Sequence, residues 1–130
     1  MKVSDIMLIN EEKEILLVKR NKSSVEWWLW SIPWWILEQD ETYDDAVVRE
    51  IYEELWIKIA SFHKFTTIQI SEYDVQYFYW NIESKLIKKI QIDHNELSWF
   101  AFFSKIDALK LDLAFSQNDV LSTFFESDLY

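Results

Sequence analysis

The chain of 130 residues contains no glycine, no cysteine and a single proline. The absence of cysteine excludes disulfide bonds and thiolate chemistry, and favours an intracellular, cytoplasmic protein. The absence of glycine is more unusual, because an average usage of about 7% predicts roughly nine glycines in a chain of this length. Turns and helix ends that require a positive φ are normally supplied by glycine. With Pro33 as its only other strong turn residue, the chain is expected to turn with difficulty.

Charge and hydropathy exclude several classes of protein. The formal net charge of −10 disfavours sustained binding to a nucleic acid polymer, and only Lys85, Lys88 and Lys89 form a basic cluster. No apolar run reaches the length of a membrane span, and Asp5 interrupts the first one, which is unlike a signal peptide. We therefore expect a single globular domain over residues 1–130, as a monomer or homodimer, with a small-molecule partner. A phosphorylated substrate that arrives with a divalent cation remains compatible with this charge.

The pattern of apolar residues predicts an α/β protein in which helices pack on a mixed sheet. A helix is predicted over 42–55, because Thr42 to Asp45 has the spacing of a capping box. A second capping box, Ser116 to Asp119, precedes an amphipathic C-terminal helix. A hairpin turn is predicted at 71–74. Strands are predicted over 3–9, 14–20, 62–70, 75–82, 88–92 and 97–103, with a short extended segment over 29–32 that Pro33 ends.

The helix predicted over 42–55 carries three glutamates on one side. Glu50, Glu53 and Glu54 fall within a sector of roughly 100°, and the adjoining sector is apolar. Carboxylates packed in this way raise the free energy of the fold unless a cation neutralises them, and Mg²⁺ or Mn²⁺ prefers such oxygen ligands. The alternative is a solvated acidic helix face. The apolar sector consists of Val47, Ile51 and Leu55.

The spacing of residues 35–57 carries the strongest functional signal in the chain. Trp35 is followed by five residues and Glu41, then by seven residues and Arg49-Glu50-Ile51, and one residue later by Glu53-Glu54. After one more residue come Trp56-Ile57. This string resembles the Nudix box, in which Gly stands at the positions of Trp35 and Trp56. Seven of the nine specified positions match in register, and the two that fail are both tryptophan in place of glycine.

The resemblance extends beyond the box. Pro33-Trp34-Trp35 is similar to the Pro-Gly-Gly that commonly leads into it. Residues 16–20, 30–33 and 96–100 resemble the second strand, the extended segment before the box and a late strand of the family. The resemblance therefore covers nearly the whole chain, and Trp30 and Trp99 stand where the family accommodates a tryptophan.

We interpret most of the eight tryptophans as glycines that were misread. The codon UGA means stop in the standard code, tryptophan in some variant codes and glycine in some AT-rich bacterial lineages. The 15 isoleucines and 11 lysines, against 2 arginines, fit an AT-rich genome. The alternative is that the tryptophans are genuine, in which case we expect the fold to survive with strain around Trp34 and Trp35. The interpretation applies most strongly to Trp34, Trp35 and Trp56, and on weaker grounds to Trp27, Trp28 and Trp80.

The resemblance implies a Nudix-type α/β/α sandwich, with a mixed β-sheet flanked by helices. It also implies a hydrolase, dependent on Mg²⁺ (or Mn²⁺), that cleaves the pyrophosphate linkage of a nucleoside diphosphate joined to another group. A nucleoside triphosphate, ordinary or oxidised, is one candidate substrate. Carried over by position, the metal ligands are Glu50, Glu53, Glu54 and the backbone carbonyl of residue 35, written here as Trp35.

The remaining roles also come from the resemblance. Glu50 or Glu53 would assist the attacking water as a base, while Arg49 and Glu41 would hold the carboxylates in place. Arg20 would contact phosphate at the end of the second strand, and a surface arginine is the alternative. Glu96 would be a further ligand or base, with an exposed glutamate as the alternative. Aromatic residues that could stack on a base are Tyr73, Tyr77, Phe78 and Tyr79, although strand alternation predicts that most of them pack in the core.

Two other functions remain open at this point. A catalytically inactive Nudix-fold module that binds a nucleotide or a protein is the better interpretation if Trp34, Trp35 and Trp56 are genuine, because bulky indoles would distort the metal loop and the helix end. An isomerase of the same fold is a third possibility, but the chain is short for the additional elements that such chemistry uses.

Overall fold

The computed structural model describes residues 1–130 and contains one mixed sheet of six strands. The strand order is β4-β5-β1-β2-β6, and β3 pairs with β1. This arrangement confirms the mixed α/β class that the hydrophobic pattern predicts. The strands are β1 (Lys2–Ile9), β2 (Ile15–Arg20), β3 (Trp34–Ile36), β4 (His63–Ile70), β5 (Tyr73–Asn81) and β6 (Leu97–Phe103).

Strand β1 is the centre of the sheet, and its pairing explains where a cleft opens. It pairs in parallel with β5 along its whole length. On its other edge it meets β2 only at Ile9↔Ile15, whereas its first half pairs with β3 at Val3↔Ile36 to Asp5↔Trp34. Strand β2 therefore diverges from β1, continues against β6, and ends at Arg20 beside β3. The divergence brings the end of β2 and the whole of β3 to one side of the molecule.

Helices cover both faces of the sheet. The helices are α1 (Tyr43–Leu55), α2 (Ser84–Ile87), α3 (Lys105–Lys110) and α4 (Gln117–Glu126), with a 3-10 turn at Ala114–Ser116. Because successive residues of a strand face opposite sides, β1 contributes to two core clusters. Ile6 and Leu8 pack with the Val47, Ile51 and Leu55 stripe of α1, whereas Met7 packs with residues of α4. This is the α/β/α sandwich that the resemblance implies.

Helix α1 is held by the cap that the sequence predicts. The Thr42 hydroxyl accepts a hydrogen bond of 3.1 Å from the backbone N–H of Asp45. At its other end, Trp56 has φ 62° and ψ 27°, in the left-handed region, and its backbone N–H donates to Tyr52. A residue with a Cβ in this conformation costs about 1–2 kcal/mol. The cap at Trp56 is a position that favours glycine.

Several predicted elements are confirmed and others are wrong. The hairpin β4–β5 and the C-terminal helix α4 are present as predicted. The apolar residues predicted for α4 are buried, namely Val120, Leu121, Phe124 and Phe125. The strand predicted over 88–92 is wrong, because α2 and an irregular segment occupy this part of the chain. The second capping box is also wrong, since Ser116 has φ 56° and its side chain makes no cap hydrogen bond. The sequence also missed β3, which follows directly after Pro33.

Because the chain has no glycine, other residues adopt the left-handed backbone conformation. None of these residues lies in β3, so the strain expected around Trp34 and Trp35 is absent from their backbone, which is extended. The expected strain is therefore not in the backbone of this segment, because pairing with β1 keeps it regular. No helix of the chain has the length and apolarity that crossing a membrane requires. The non-glycine residues with positive φ are Lys13, Glu26, Asp40, Trp56, Ser71, Phe115 and Ser116.

Candidate active site

A cleft of about 370 Å³ opens where β2 ends, beside β3 and one side of α1. Its lining contains six acidic and two basic side chains, so an anionic ligand could not enter it without additional positive charge. We call it the carboxylate cleft. Its charged residues are Arg20, Glu38, Arg49, Glu50, Glu53, Glu54, Asp93 and Glu96, and Trp34, Trp35 and Ile36 complete the lining.

Arg49 forms hydrogen bonds with acidic side chains at the entrance of the cleft. Its guanidinium donates to Glu41 through Nε at 2.7 Å and Nη2 at 2.9 Å, which is the pair expected from the sequence. Nη1 donates to Glu50 at 2.7 Å and to Glu53 at 3.2 Å. The hydrogen bond from Arg49 lowers the pKa of Glu41, and the same bond raises the pKa of Arg49 further above its ordinary value. Arg49 therefore stays charged and fixes the orientation of two of the three clustered glutamates.

Glu50 and Glu53 differ in their exposure to solvent. The side chain of Glu50 is 19% exposed and that of Glu53 is 54% exposed. Burial raises the pKa of Glu50, and the hydrogen bond from Arg49 offsets part of this rise. Glu53 is thus the more accessible carboxylate, and Glu50 is the one whose pKa is raised by burial.

Glu54 is the buried member of the cluster and has two partners. Its side chain is 3% exposed, and its Oε1 lies 3.3 Å from Arg20 Nη2. The indole N–H of Trp35 donates to its Oε2. Burial raises the pKa of Glu54 to about 7, although the charge of Arg20 and the indole hydrogen bond both lower it. Both oxygens of this carboxylate are therefore occupied by groups of the protein itself.

The three carboxylates have the chemistry of a divalent-cation site but not the arrangement of one. Carboxylate oxygens are the ligands that Mg²⁺ and Mn²⁺ prefer, and one end of α1 supplies three of them. However, Arg49 binds Glu50 and Glu53, and the Trp35 indole binds Glu54, so no three acidic or histidine side chains converge on a common point. With an indole at position 35, the residues present do not fit a bound cation.

The neighbouring Trp34 is also poorly accommodated. Its indole nitrogen is buried and has no hydrogen-bond partner. A buried donor without an acceptor costs about 1–3 kcal/mol. The ring contacts Phe115 edge-on with centroids 4.8 Å apart, and the Arg20 guanidinium lies 5.0 Å from its centroid. Arg20 thus contacts both Trp34 and Glu54, inside the carboxylate cleft rather than at a free surface.

The structure places the charged residues singled out for the site in or beside the cleft, whereas the aromatic candidates Tyr73, Tyr77, Phe78 and Tyr79 lie outside its lining. Arg20, Trp35, Arg49, Glu50, Glu53 and Glu54 line the cleft, and Glu41 stands behind it as the partner of Arg49. Glu96 also lies in the cleft, 3.6 Å from Arg20, although its side chain is 55% exposed. Sequence analysis missed Glu38 and Asp93, which are single acidic residues in loops and carry no spacing signal.

A second polar pair was also missed. Asp5 of β1 and Gln117 of α4 are buried, and Gln117 Nε2 donates to Asp5 Oδ2 at 3.1 Å. Asp5 is a carboxyl group in a mainly apolar strand, and this was the signal available in the sequence. Gln117 was hidden because the spacing of Ser116 to Asp119 favoured a helix cap.

Comparison with known proteins identifies the family of this chain. The sequence profile of the NUDIX domain matches residues 2–124. The chain therefore belongs to the Nudix family, as residues 35–57 indicate. A search of curated protein sequences gives no significant match.

Solved structures of the family share the fold at low sequence identity. The NUDIX domain of Shewanella oneidensis NrtR, complexed with ADP ribose, is 18% identical with a TM-score of 0.80, over 97% of this chain and 86% of that one. A MutT protein of Methanosarcina mazei is 19% identical with a TM-score of 0.74, over 96% and 92%. An Ap4A hydrolase of C. elegans is 18% identical with a TM-score of 0.73, over 95% and 94%. These similarities confirm the Nudix fold.

Proposed function

We propose that the protein is a pyrophosphohydrolase that cleaves a nucleoside diphosphate linked to another group, with a nucleoside triphosphate among the candidate substrates. The observation that carries the proposal is the convergence of Arg20 with Glu50, Glu53 and Glu54 in one cleft. Membership of a family whose members generally hydrolyse pyrophosphate bonds supports it. One structural neighbour is complexed with ADP ribose and another is an Ap4A hydrolase, and both agree with a nucleotide substrate.

The chain's own residues divide the work of such a reaction. Arg20 would bind a phosphate oxygen, since a guanidinium donates two parallel hydrogen bonds to such groups. Water attacks phosphorus, the bond to the leaving phosphate breaks, and the proton of the water passes to a carboxylate. The exposure of Glu53 favours it as the acceptor, and the raised pKa of Glu50 favours Glu50. Arg49, held by Glu41, is a positioning residue for both carboxylates.

We propose that the active form has glycine at positions 34, 35 and 56. Three observations at three places support this. Trp56 has a left-handed backbone, the Trp34 indole nitrogen is buried without a partner, and the Trp35 indole occupies an oxygen of Glu54. Codons UGA at all three positions, with a correspondingly lighter native protein by intact mass, are the expected result. Codons UGG would overturn the proposal.

In the glycine form, Glu50, Glu53, Glu54 and the backbone carbonyl of residue 35 would hold Mg²⁺ or Mn²⁺. A divalent cation supplies neutralisation of phosphate charge and a lower pKa for bound water. It would also explain how a protein of net charge −10 accepts an anionic substrate. Glycine at position 35 removes the indole that now takes the place of a cation beside Glu54.

A catalytically inactive module that binds a nucleotide or a protein is the second candidate. The hydrogen bond from the Trp35 indole to Glu54 favours it for the chain with tryptophan, because that bond occupies the buried carboxylate. The two candidates differ in one measurable property, which is turnover that depends on a divalent cation.

The test is a hydrolysis assay on a panel of nucleoside triphosphates, dinucleoside polyphosphates and ADP ribose, with Mg²⁺ and with a chelator. We expect cation-dependent release of a nucleoside monophosphate or diphosphate from the Trp34→Gly, Trp35→Gly, Trp56→Gly triple variant. Adding Glu53→Gln or Glu50→Gln to that variant should lower turnover, because each removes a carboxylate of the proposed site. A folded triple variant without turnover on any member of the panel would reject the hydrolase and leave the inactive module.

A further inference from the structure

Strand β6 lies at one edge of the sheet and pairs on one side only, with β2. Its sequence, Leu-Ser-Trp-Phe-Ala-Phe-Phe, contains no charged residue and no proline. Trp99 is 60% exposed, and residues 100–103 are half-buried. An apolar edge strand is a template for pairing with another chain, because its outer backbone groups have no partner in the sheet. The free edge of β6 is therefore a candidate interaction surface.

The opposite edge of the sheet has features that prevent such pairing. Strand β4 contains Lys64, and a bulge between Lys64 and Thr66 interrupts its register. Charged side chains and bulges on an edge strand protect it against association. In β6 the only irregularity lies at its start, and residues 99–103 pair regularly with β2. The chain thus protects one edge of the sheet and leaves the other open.

The hydrogen bonds of β2 show which backbone groups of β6 point outward. The N–H and C=O of Val18 both bond to Ser31, at 2.9 Å each, on the side of β2 away from β6. Val18 and its neighbour Phe100 are therefore a non-hydrogen-bonded pair of the antiparallel ladder. In such a pair the backbone groups point away from the facing strand, so the N–H and C=O of Phe100 face the free edge. By alternation along the strand, those of Phe102 do so as well.

These outward groups fit an antiparallel pairing of β6 with the β6 of a second copy. With Ala101 on the two-fold axis, Phe100 of each copy stands opposite Phe102 of the other, and each such pair exchanges two hydrogen bonds. The N–H and C=O groups of both residues are then all bonded. Ala101 stands opposite itself in a non-hydrogen-bonded pair, in which the Cα atoms are only about 4.5 Å apart, and its small side chain fits that position.

The same register places aromatic side chains opposite one another on both faces of the sheet. Trp99 of each copy is opposite Phe103 of the other, on the face where Phe103 packs with residues of α4. Phe100 is opposite Phe102 on the other face, where both pack with residues of α1. Aromatic pairs directly opposite on neighbouring strands stabilise a sheet. A second copy of this chain therefore complements β6 residue by residue.

The charges at the two ends of β6 favour the antiparallel orientation. Glu96 precedes the strand and Lys105 follows it, and both are exposed. Antiparallel pairing brings Lys105 of each copy to the end of the strand at which Glu96 of the other copy lies. A parallel arrangement would place like charges side by side instead. Glu96 lines the carboxylate cleft, so the second copy adds a positive charge beside a cleft whose charged residues are mainly acidic.

We propose that the protein forms a two-fold homodimer by antiparallel pairing of β6, through the backbone groups of Phe100 and Phe102 and with Ala101 at the axis. The six-stranded sheets of the two copies then form one continuous sheet. The association closes on itself, because it uses the open edge of each copy. The inference concerns assembly and does not depend on the hydrolase proposal.

The test measures the mass of the full chain in solution by sedimentation velocity. We expect a dimer, with twice the chain mass of 15.9 kDa. Ala101→Lys and Ala101→Glu each place two like charges face to face at the axis, and each should raise the dissociation constant of the dimer at least about a hundredfold. An equimolar mixture of the two variants should restore the dimer, because a lysine then faces a glutamate. Gln69→Lys is the matched control and should leave the dimer intact, since Gln69 is an exposed polar residue of the opposite edge strand.

Hydrogen exchange of the original chain tests the interface without any substitution. The amide hydrogens of Phe100 and Phe102 should be protected at a high protein concentration and should lose this protection on dilution below the dissociation constant. The amides of Ala101 and Phe103 face β2 and should be protected at both concentrations.

The outcomes that would overturn the proposal are distinct. A monomer at every concentration, or an open-ended assembly larger than a dimer, would reject two-fold pairing and leave the edge to another protein or to none. A dimer that persists in folded Ala101→Lys, or exchange at Phe100 and Phe102 that does not depend on concentration, would reject the role of β6. Two folded variants that stay monomeric when mixed would reject the register with Ala101 at the axis.

Discussion

The carboxylate cleft and a second, apolar cavity of about 190 Å³ share Trp34 in their linings but surround a buried carboxyl group differently. We call the second one the Asp5 cavity, after one of its two polar residues; the other is Gln117. In the cleft, Glu54 has both oxygens occupied, one by Arg20 and one by the Trp35 indole. In the cavity, Asp5 has one oxygen bound to Gln117, and the Tyr77 hydroxyl also faces its carboxyl group. Both pKa values are raised by burial, but only in the cleft are there cationic groups within reach.

The two regions differ in charge and in polarity. The cleft contains six acidic side chains but only two arginines, so its charge is negative. Hydrogen bonds from the Trp35 indole and from Arg49 orient its carboxylates. The cavity is mainly apolar instead, and its carboxyl group has only uncharged partners, Gln117 and Tyr77. Changes in the cleft should therefore alter turnover, whereas changes at Asp5 in the cavity should alter the dependence of stability on pH.

The largest expected effect is on turnover in the cleft. In the variant with glycine at 34, 35 and 56, Glu53→Gln should lower kcat by about 10²–10⁴, the usual contribution of a positioned base. Steady-state kinetics with Mg²⁺ measure this. Asp44→Asn is the matched control, because Asp44 is an exposed acid of the same helix outside the cleft. A Glu53→Gln variant as active as that control would remove Glu53 from the mechanism.

Arg20→Ala should weaken phosphate binding in the same glycine variant. A hydrogen bond to a charged group contributes about 1.5–3 kcal/mol, so kcat/KM should fall roughly ten- to hundred-fold, mainly through KM. Arg20→Lys should recover part of the loss because it retains the charge. If KM is unchanged in Arg20→Ala, then the contacts of Arg20 with Glu54 and Trp34 are structural only.

The burial of Asp5 in the cavity should make the free energy of unfolding depend on pH. Because the pKa of Asp5 is higher in the folded than in the unfolded protein, the folded state binds the extra proton above pH 4. The contribution of Asp5 is therefore fully present below its ordinary pKa and is lost as pH rises toward the folded value. Each pH unit in this window should lower the free energy of unfolding by about 1.4 kcal/mol relative to Asp5→Asn.

Urea unfolding of the two proteins between pH 4 and pH 7 measures the effect. The curves should diverge, with the original chain losing stability relative to Asp5→Asn as pH rises. Tyr77 and Gln117 face the carboxyl group and are the same in both proteins, so they do not contribute to the difference. Parallel curves would show that Asp5 is not held neutral.

The smallest effect lies outside both regions, at the end of α1. Trp56→Gly should raise the free energy of unfolding by about 1 kcal/mol, because glycine adopts the left-handed conformation without a Cβ penalty and Trp56 is 61% exposed. Trp99→Gly is the control, since Trp99 is 60% exposed but lies in β6. It should lower the free energy of unfolding by about 0.5–1 kcal/mol. Two changes of the same sign would contradict the assignment of the cap.

Sequence alone predicted those parts of the fold that depend on local patterns. Helix α1 was recognised from its cap and apolar stripe, and five of the six strands from their apolar runs. Strand β3 was missed because three residues after a proline carry no periodicity, and its pairing with β1 depends on the distant divergence of β2. Residues 88–92 have strand-like composition, but α2 directly before them and a lack of pairing partners leave them irregular.

For the candidate site, too, sequence predicted what depends on local spacing and missed what depends on contacts between distant segments. The spacing of 35–57 placed Glu50, Glu53, Glu54 and the Arg49–Glu41 pair within one region, because helical periodicity fixes their relative directions. It could not show that the Trp35 indole turns toward Glu54, since that contact is set by the packing of β3 on α1. Nor could it join Asp5 to Gln117, which are 112 residues apart in the chain.

The central claim is that the indole at position 35 occupies a carboxylate that otherwise binds a divalent cation. Calorimetric titration of Mg²⁺ into the original chain, Trp35→Gly and Trp35→Gly with Glu54→Gln tests it directly. The account predicts that Trp35→Gly binds Mg²⁺ at least about tenfold more tightly than the original chain, corresponding to about 1.4 kcal/mol, and that Glu54→Gln abolishes the gain. Equal affinity for Mg²⁺ in all three folded proteins would contradict it.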